Sequence, residues 1–227
     1  MPFSDETLQF LFEVRVNDSR VWFHENHDRY ENHVITPVRK LIDSIAPTML
    51  AIDPQLTVDG RVGRCISRIN RDTRFTKNKE LYRDVVWISF VREKHAELPE
   101  FFFEFSARGL RWGCGWYCAP KDTVDTLRDM VLADAPLWRE AERAVAKDDC
   151  LELFGDRYKR TRYPEADEVK RKWLDMKDFC VMGVNEDIDM LFSDDLPDWL
   201  GSEFQKLKPV YELFLQAKLL SKGRQTL

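Results

Sequence analysis

Eight positively charged side chains stand within one short stretch of this 227-residue chain: Arg61, Arg64, Arg68, Arg71, Arg74, Lys77, Lys79 and Arg83. Only Asp72 and Glu80 oppose them, a net of +6 over 23 residues, which leaves −11 on the other 204 and −5 on the whole chain. Arginine offers a planar fork of donors that matches phosphate or carboxylate, and lysine a mobile point charge. The chemistry that such a cluster supports is capture of an anion. Two carboxylates are candidates for acid–base work. Asp72 lies among the arginines and can orient one of them or act as a base. Glu104 alternates with Phe103 and Phe105, and a half-buried carboxylate there wants a basic partner, so a structural ion pair is its competing role. The competing reading of the whole segment is architectural, with acids elsewhere in the chain paired to these cations in surface or bridging links.

Other chemistry-bearing residues are sparser. Gly113 and Gly115 share one face of a stretch whose other face carries Leu110, Trp112, Cys114 and Trp116. Missing side chains there open the backbone to a ligand or make room for a packed neighbour. His24 and His27 stand three apart with Glu31 one turn later, a spacing that can hold a metal. No second carboxylate–histidine cluster answers it, His33 and His95 lack companions, and no metal is expected. Cys65, Cys114, Cys118, Cys150 and Cys180 make an odd, unpatterned set, which points to reduced thiols in a cytoplasmic setting. Cys114 and Cys118, read as strand residues, would lie about 13 Å apart, too far for one bridge or one zinc ion. No Walker loop, dinucleotide fingerprint, serine elbow or H-E-x-x-H is present, so no cofactor is expected. The negative total disfavours a nucleic-acid partner. The start, MPFSDETLQF, has no basic, apolar leader, and no run approaches the ~18 apolar residues of a membrane span.

The elements that must position these residues fall into three blocks. The N-terminal third reads as helix: one capped by Ser4 with Leu8, Leu11 and Phe12 on a face, then another from about Arg20 to Ala46 that Pro37 kinks or restarts. The middle switches to period two, with strands expected over Val62–Asn70, Val85–Val91, Glu100–Ala107 and Leu110–Tyr117, the last two joined by a tight turn at Arg108-Gly109. On the first, Arg64, Ile66, Arg68 and Asn70 would share a face. From Pro120 the chain returns to helix, over about Lys121–Ala133, Pro136–Lys147, Ala166–Asp178 and Asp198–Lys222. This order predicts an α+β fold, with a central, largely antiparallel sheet flanked by N-terminal and C-terminal helices. The length fits a single domain, 1–227, with a boundary allowed near residue 150 for a helical C-terminal subdomain.

The residues also carry a family resemblance. Asn17-Asp18-Ser19-Arg20-Val21-Trp22-Phe23, followed by Asp28-Arg29-Tyr30, resembles the N…N-R-E-W-F…Y-E opening of a bacterial and fungal family known as domain of unknown function 2461. That family's most distinctive stretch is close to R-I-x-R-D-T-R-F-S-K-D-K-x-P-Y-K. Here it stands as Arg68-Ile69-Asn70-Arg71-Asp72-Thr73-Arg74-Phe75-Thr76-Lys77-Asn78-Lys79-Glu80-Leu81-Tyr82-Arg83. Gly113-Cys114-Gly115-Trp116 and Pro120 echo a glycine-rich strand ending in tryptophan and proline. Leu81 replaces the family's proline, and its K-R-x-P-x-G-Y stretch reads Lys159-Arg160-Thr161-Arg162-Tyr163-Pro164. The resemblance runs from Phe3 to about Leu220; it supports the fold and supplies no reaction.

The functional expectation is a site for a phosphorylated or carboxylated small molecule at Arg68, Arg71, Arg74, Lys77, Lys79 and Tyr82, with catalysis by Asp72 or Glu104 left open. The alternative is a non-enzymatic module that docks an acidic protein or a nucleic-acid end.

Overall fold

Five strands, β1 (Val86–Phe90), β2 (Glu100–Ser106), β3 (Gly109–Gly115), β4 (Leu151–Phe154) and β5 (Cys180–Asn185), make an antiparallel sheet in the order β1-β2-β3-β5-β4. Helices precede and follow them, which is the expected α+β architecture. The computed structural model describes residues 3–77, 79–93 and 96–224, with side chains as far as Ser221. Met1, Pro2, Asn78 and His95 therefore lie outside the described residues. The chain divides into two compact units, the first of Met1–Phe90, Phe102–Arg111 and Asn185–Ser202, the second of Val91–Phe101, Trp112–Val184 and Glu203–Leu227.

In the first unit, α1 (Asp5–Asn17) buries Thr7, Phe10, Leu11 and Val14. The expected Leu8–Leu11–Phe12 face is a correction: Phe12 is 65% exposed, and the neighbouring stripe at the same 3–4 spacing faces inward. The long second helix is also subdivided, into α2 (Arg20–Glu25), α3 (His27–Tyr30), a π-helical turn over Glu31–Ile35 and α4 (Thr36–Ile52). Pro37 explains the turn. It has no N–H for the His33 carbonyl four residues back, so the regular ladder cannot continue through it. That carbonyl accepts a hydrogen bond from Thr7 Oγ1 at 2.6 Å, and the Thr7 hydroxyl in turn accepts the Ser4 N–H. One α1 side chain thus satisfies the group that proline strands.

Val62–Asn70 is not a strand. Gly63 adopts φ +85°, where an L side chain is strained, and its N–H bonds the Ile66 carbonyl at 2.7 Å. The resulting turn leaves single bridges, Ile66 to Ile88 of β1 and Asn70 to Tyr82. Cys65, Ile66 and Ile69 are buried while Arg64, Arg68 and Asn70 are exposed, so strict alternation is lost.

In the second unit, α5 (Lys121–Leu132), α6 (Pro136–Ala146) and α7 (Glu168–Leu174) intervene around β4; α8 (Asp189–Phe192) belongs to the first unit, α9 (Leu196–Lys206) runs from the first into the second, and α10 (Lys208–Arg224) belongs to the second. Strands β4 and β5 correct the all-helical reading after Pro120; Leu151 faces Gly183 and Phe154 faces Cys180 across them. The expected helix Ala166–Asp178 shortens to α7, which begins where the Asp167 carboxylate caps the Lys170 N–H at 2.9 Å. The last expected helix breaks before Pro209, which cannot continue the α9 ladder but suits the first turn of α10. Helix α10 packs on α5 and α6, and its Tyr211 lies 4.8 Å from Phe101, ring centre to ring centre. None of the described helices is long and apolar enough to cross a membrane.

The Thr7–His33 link gives a direct test. Thr7→Val keeps the shape but removes the side-chain donor to the part-buried His33 carbonyl, so denaturant unfolding should show a loss of about 1–3 kcal/mol; an unchanged midpoint would mean that the π turn does not depend on this bond.

Candidate functional site

The basic segment is a loop with a fixed base and an open tip. At the base, the Arg71 N–H bonds the Leu81 carbonyl at 2.8 Å and the Arg83 N–H bonds the Ile69 carbonyl at 2.9 Å, on either side of the Asn70–Tyr82 bridge. Asp18 ends α1 in a left-handed conformation (φ 41°), which short polar side chains tolerate. Its carboxylate there accepts the N–H groups of Leu81 and Tyr82 at 2.7 and 3.3 Å. The Tyr82 ring is buried and stacks on Phe23 at 4.9 Å, and burial raises its hydroxyl's pKa. Tyr82 is therefore an anchor for the loop.

Charges at the base are shared. Glu80 accepts from Arg71 at 2.6 Å and from Arg15 at 3.5 Å. Asp84 binds Arg108 at 2.7 Å and Arg15 at 2.9 Å, and the Arg108 hydrogen bond above all lowers its pKa. Arg83 donates to the carbonyls of Arg68 and Asn70 at 2.8 and 2.9 Å and lies 4.8 Å over Trp87. Desolvation, with Arg71 nearby, reduces its basicity. Arg15, Asp18, Asp84 and Trp87 are the members of this network that sequence reasoning missed; their partners lie up to 69 positions away, so no local pattern announces them.

At the tip, Asp72 closes a turn on the Arg74 N–H at 3.1 Å and pairs with the Arg74 guanidinium at 2.7 Å. These bonds hold its carboxyl at about 2, the side-chain bond contributing most. Lys79 folds back to donate to the Thr73 carbonyl at 2.8 Å. Arg74 is 76% exposed on its side chain, and its guanidinium lies 5.5 Å from the ring of Phe75, which is itself 93% exposed. Lys77 is exposed as well. Arg68 lies against Gly63, where an added Cβ would stand 3.3 Å from its Nε. Among the described residues neither Lys77 nor Arg68 has a carboxylate partner, whereas Arg61 and Arg64 share Asp59 at 2.6 and 3.9 Å. The tip thus brings Arg74, Lys77 and Lys79 into one loop, with Arg71 at its base and Arg68 just outside.

Glu104 pairs with Arg111 on the adjacent strand. Both acid–base candidates are therefore held by arginines, and they do not meet. Gly115 adjoins the β5 backbone: a Cβ there would stand 2.4 Å from the Phe179 carbonyl oxygen, so this glycine makes room for packing. His27 is edge-on to Phe23 and Tyr30, and Glu31 pairs with Arg39 at 3.1 Å. No group of three metal-ligating side chains is assembled among the described residues. Cys118 lies beyond the end of β3 and is exposed, while Cys114 is buried; none of the five cysteines is in a disulfide.

No curated protein matches the chain. A family model described as conserved hypothetical protein (DUF2461) matches residues 6–213, a span that includes the α1 terminus, the pinned loop and the whole sheet. The chain belongs to the DUF2461 family of conserved hypothetical proteins.

Proposed function

We propose that this protein binds an anionic group, phosphate or carboxylate, through Arg68, Arg71, Arg74, Lys77 and Lys79, with Tyr82 holding the loop in place. The observation that carries the reading is a loop fixed at its base and open at its tip, where Arg74 is mostly exposed and Lys77 has no carboxylate partner among the described residues. A pinned loop loses little conformational entropy when a ligand arrives, which favours affinity. Asp72 and Glu104 are each engaged by an arginine, so the role is binding without proton transfer by either. Phe75 favours a second reading. A phenylalanine this exposed beside cations adds nothing to capture of a small inorganic anion, but it suits docking of an extended acidic partner. The odd, unpatterned set of five cysteines supports a reducing, cytoplasmic setting.

Calorimetric titration with phosphate, citrate and a polyglutamate peptide tests both readings. Arg74→Gln with Lys77→Gln should weaken binding about tenfold or more, the worth of one charge-assisted hydrogen bond. Asp72→Asn removes the carboxylate that competes for Arg74, so affinity should rise by roughly two- to fivefold, the modest gain expected from releasing a solvent-screened pair. Affinity for polyglutamate alone would select the docking reading, and no response to these substitutions would overturn both.

The state of Asp72 is separately measurable. Its folded pKa is depressed, so it stays ionised and paired above the ordinary aspartate range, and the pairing is lost as pH falls towards about 2. Carboxyl NMR should give a midpoint close to 2. A midpoint at 4 or higher would show an unpaired group, free to act as a base.

A further inference from the structure

A second cationic surface lies in the other unit, where the sequence reading found only a departure from the family pattern. Residues 157–162 read Arg-Tyr-Lys-Arg-Thr-Arg, four cations in six positions. Short backbone pairing fixes the start of this run: Arg157 bridges Met176, the Tyr158 N–H bonds the Asp175 carbonyl at 2.9 Å, and the Lys177 N–H bonds the Asp156 carbonyl at 2.7 Å. Three cations gather on the ring of Tyr158: Arg162 at 3.9 Å from its centre, Arg128 at 5.4 Å and Lys177 at 5.7 Å.

These cations have different tasks. Arg128 is buried; it donates to the carbonyls of Leu174 and Met176 at 3.1 and 2.6 Å and pairs with Asp125 at 3.0 Å. It is a structural clamp that steadies the ring. Arg162 is exposed and lies over the Tyr158 ring, which restrains its guanidinium while leaving it accessible to solvent. Arg157, Lys159 and Arg160 are exposed too, and among the described residues none of these four pairs its side chain with a carboxylate, although the Arg162 backbone N–H donates to the Asp175 carboxylate at 3.4 Å. Among the described residues the Asp156 carboxylate pairs only with Lys177, at 4.0 Å, Asp175 accepts no side-chain bond from the run, and Asp167 is occupied in capping α7. Glu165 and Glu168 follow in sequence without pairing to the run among the described residues. Charges of one sign are thus held along an exposed stretch of backbone on a rigid aromatic support.

We infer that this surface binds a chain of phosphates, either a polyphosphate or the backbone of a single nucleic-acid strand. Arginine forks suit phosphate oxygens, and cations strung along a chain suit a repeated anion better than a solitary one. The inference is independent of the 68–79 loop, which belongs to the other unit.

Fluorescence anisotropy with labelled polyphosphate and with a labelled oligouridylate, at low salt, tests it. The intact protein should bind at least one probe, with log affinity falling by roughly 0.7 per phosphate contact for each tenfold rise in salt. Lys159→Gln with Arg160→Gln and Arg162→Gln should weaken binding at least tenfold while the melting temperature holds. The comparison is made in an Arg74→Gln, Lys77→Gln background, which removes the phosphate site proposed at the 68–79 loop, and the triple substitution should still cost at least tenfold there. Binding of polyphosphate alone, or of both probes, identifies the source of the phosphates. No binding of either probe, equal binding by the triple variant, or equal affinity for polyglutamate would overturn the inference.

Discussion

Two backbone N–H groups, those of Leu81 and Tyr82, end on the carboxylate of Asp18, and the form of the basic loop follows from that contact. Hydrogen bonds to an ionised acceptor are each worth about 1.5–3 kcal/mol. The left-handed turn at Asp18 aims the carboxylate, the Tyr82 ring stacks on Phe23, and the 69–71 and 81–83 segments close on each other. Without this clasp the intervening residues would be a long, like-charged loop whose ends repel. With it, the exposed positive charge is gathered at the tip, where Arg74 and Lys77 face solvent.

Charge in the segment is partitioned by position. Near the base, arginines are consumed by Glu80, by Asp59 and by backbone carbonyls. At the tip, Asp72 is spent on Arg74, Lys79 is turned onto its own loop, and Lys77 is left to solvent. The architectural reading of the cluster therefore accounts for its base, and ligand binding is proposed only for the tip. An acid held as low as Asp72 makes a poor proton acceptor at neutral pH, which is why binding fits the geometry better than catalysis.

Much of the fold was legible because its signals are local. Alternation over Glu100–Ala107 marked β2, and the tight turn expected at Arg108-Gly109 lies one residue earlier, at Ala107-Arg108, with Gly109 opening β3. Proline 37 foretold an interruption, though not that the irregularity would be a π turn satisfied by Thr7. Strands β4 and β5 escaped notice because Leu-Glu-Leu-Phe is too short to show a period and β5 is buried across its middle without alternating. In the site, the cluster itself was visible as charge. Which cations are free was not, since that depends on Arg15, Asp18, Asp84 and Trp87, whose contacts with the segment are made only on folding.

The most direct measurement is a phosphate titration followed by amide and arginine side-chain NMR. Anion capture on a pinned loop predicts saturable shifts at Arg71–Lys77 and at the Arg74 guanidinium, and little change at the Asp18-bound amides of Leu81 and Tyr82. Shifts that never saturate, or that appear only outside the 68–83 segment, would contradict it.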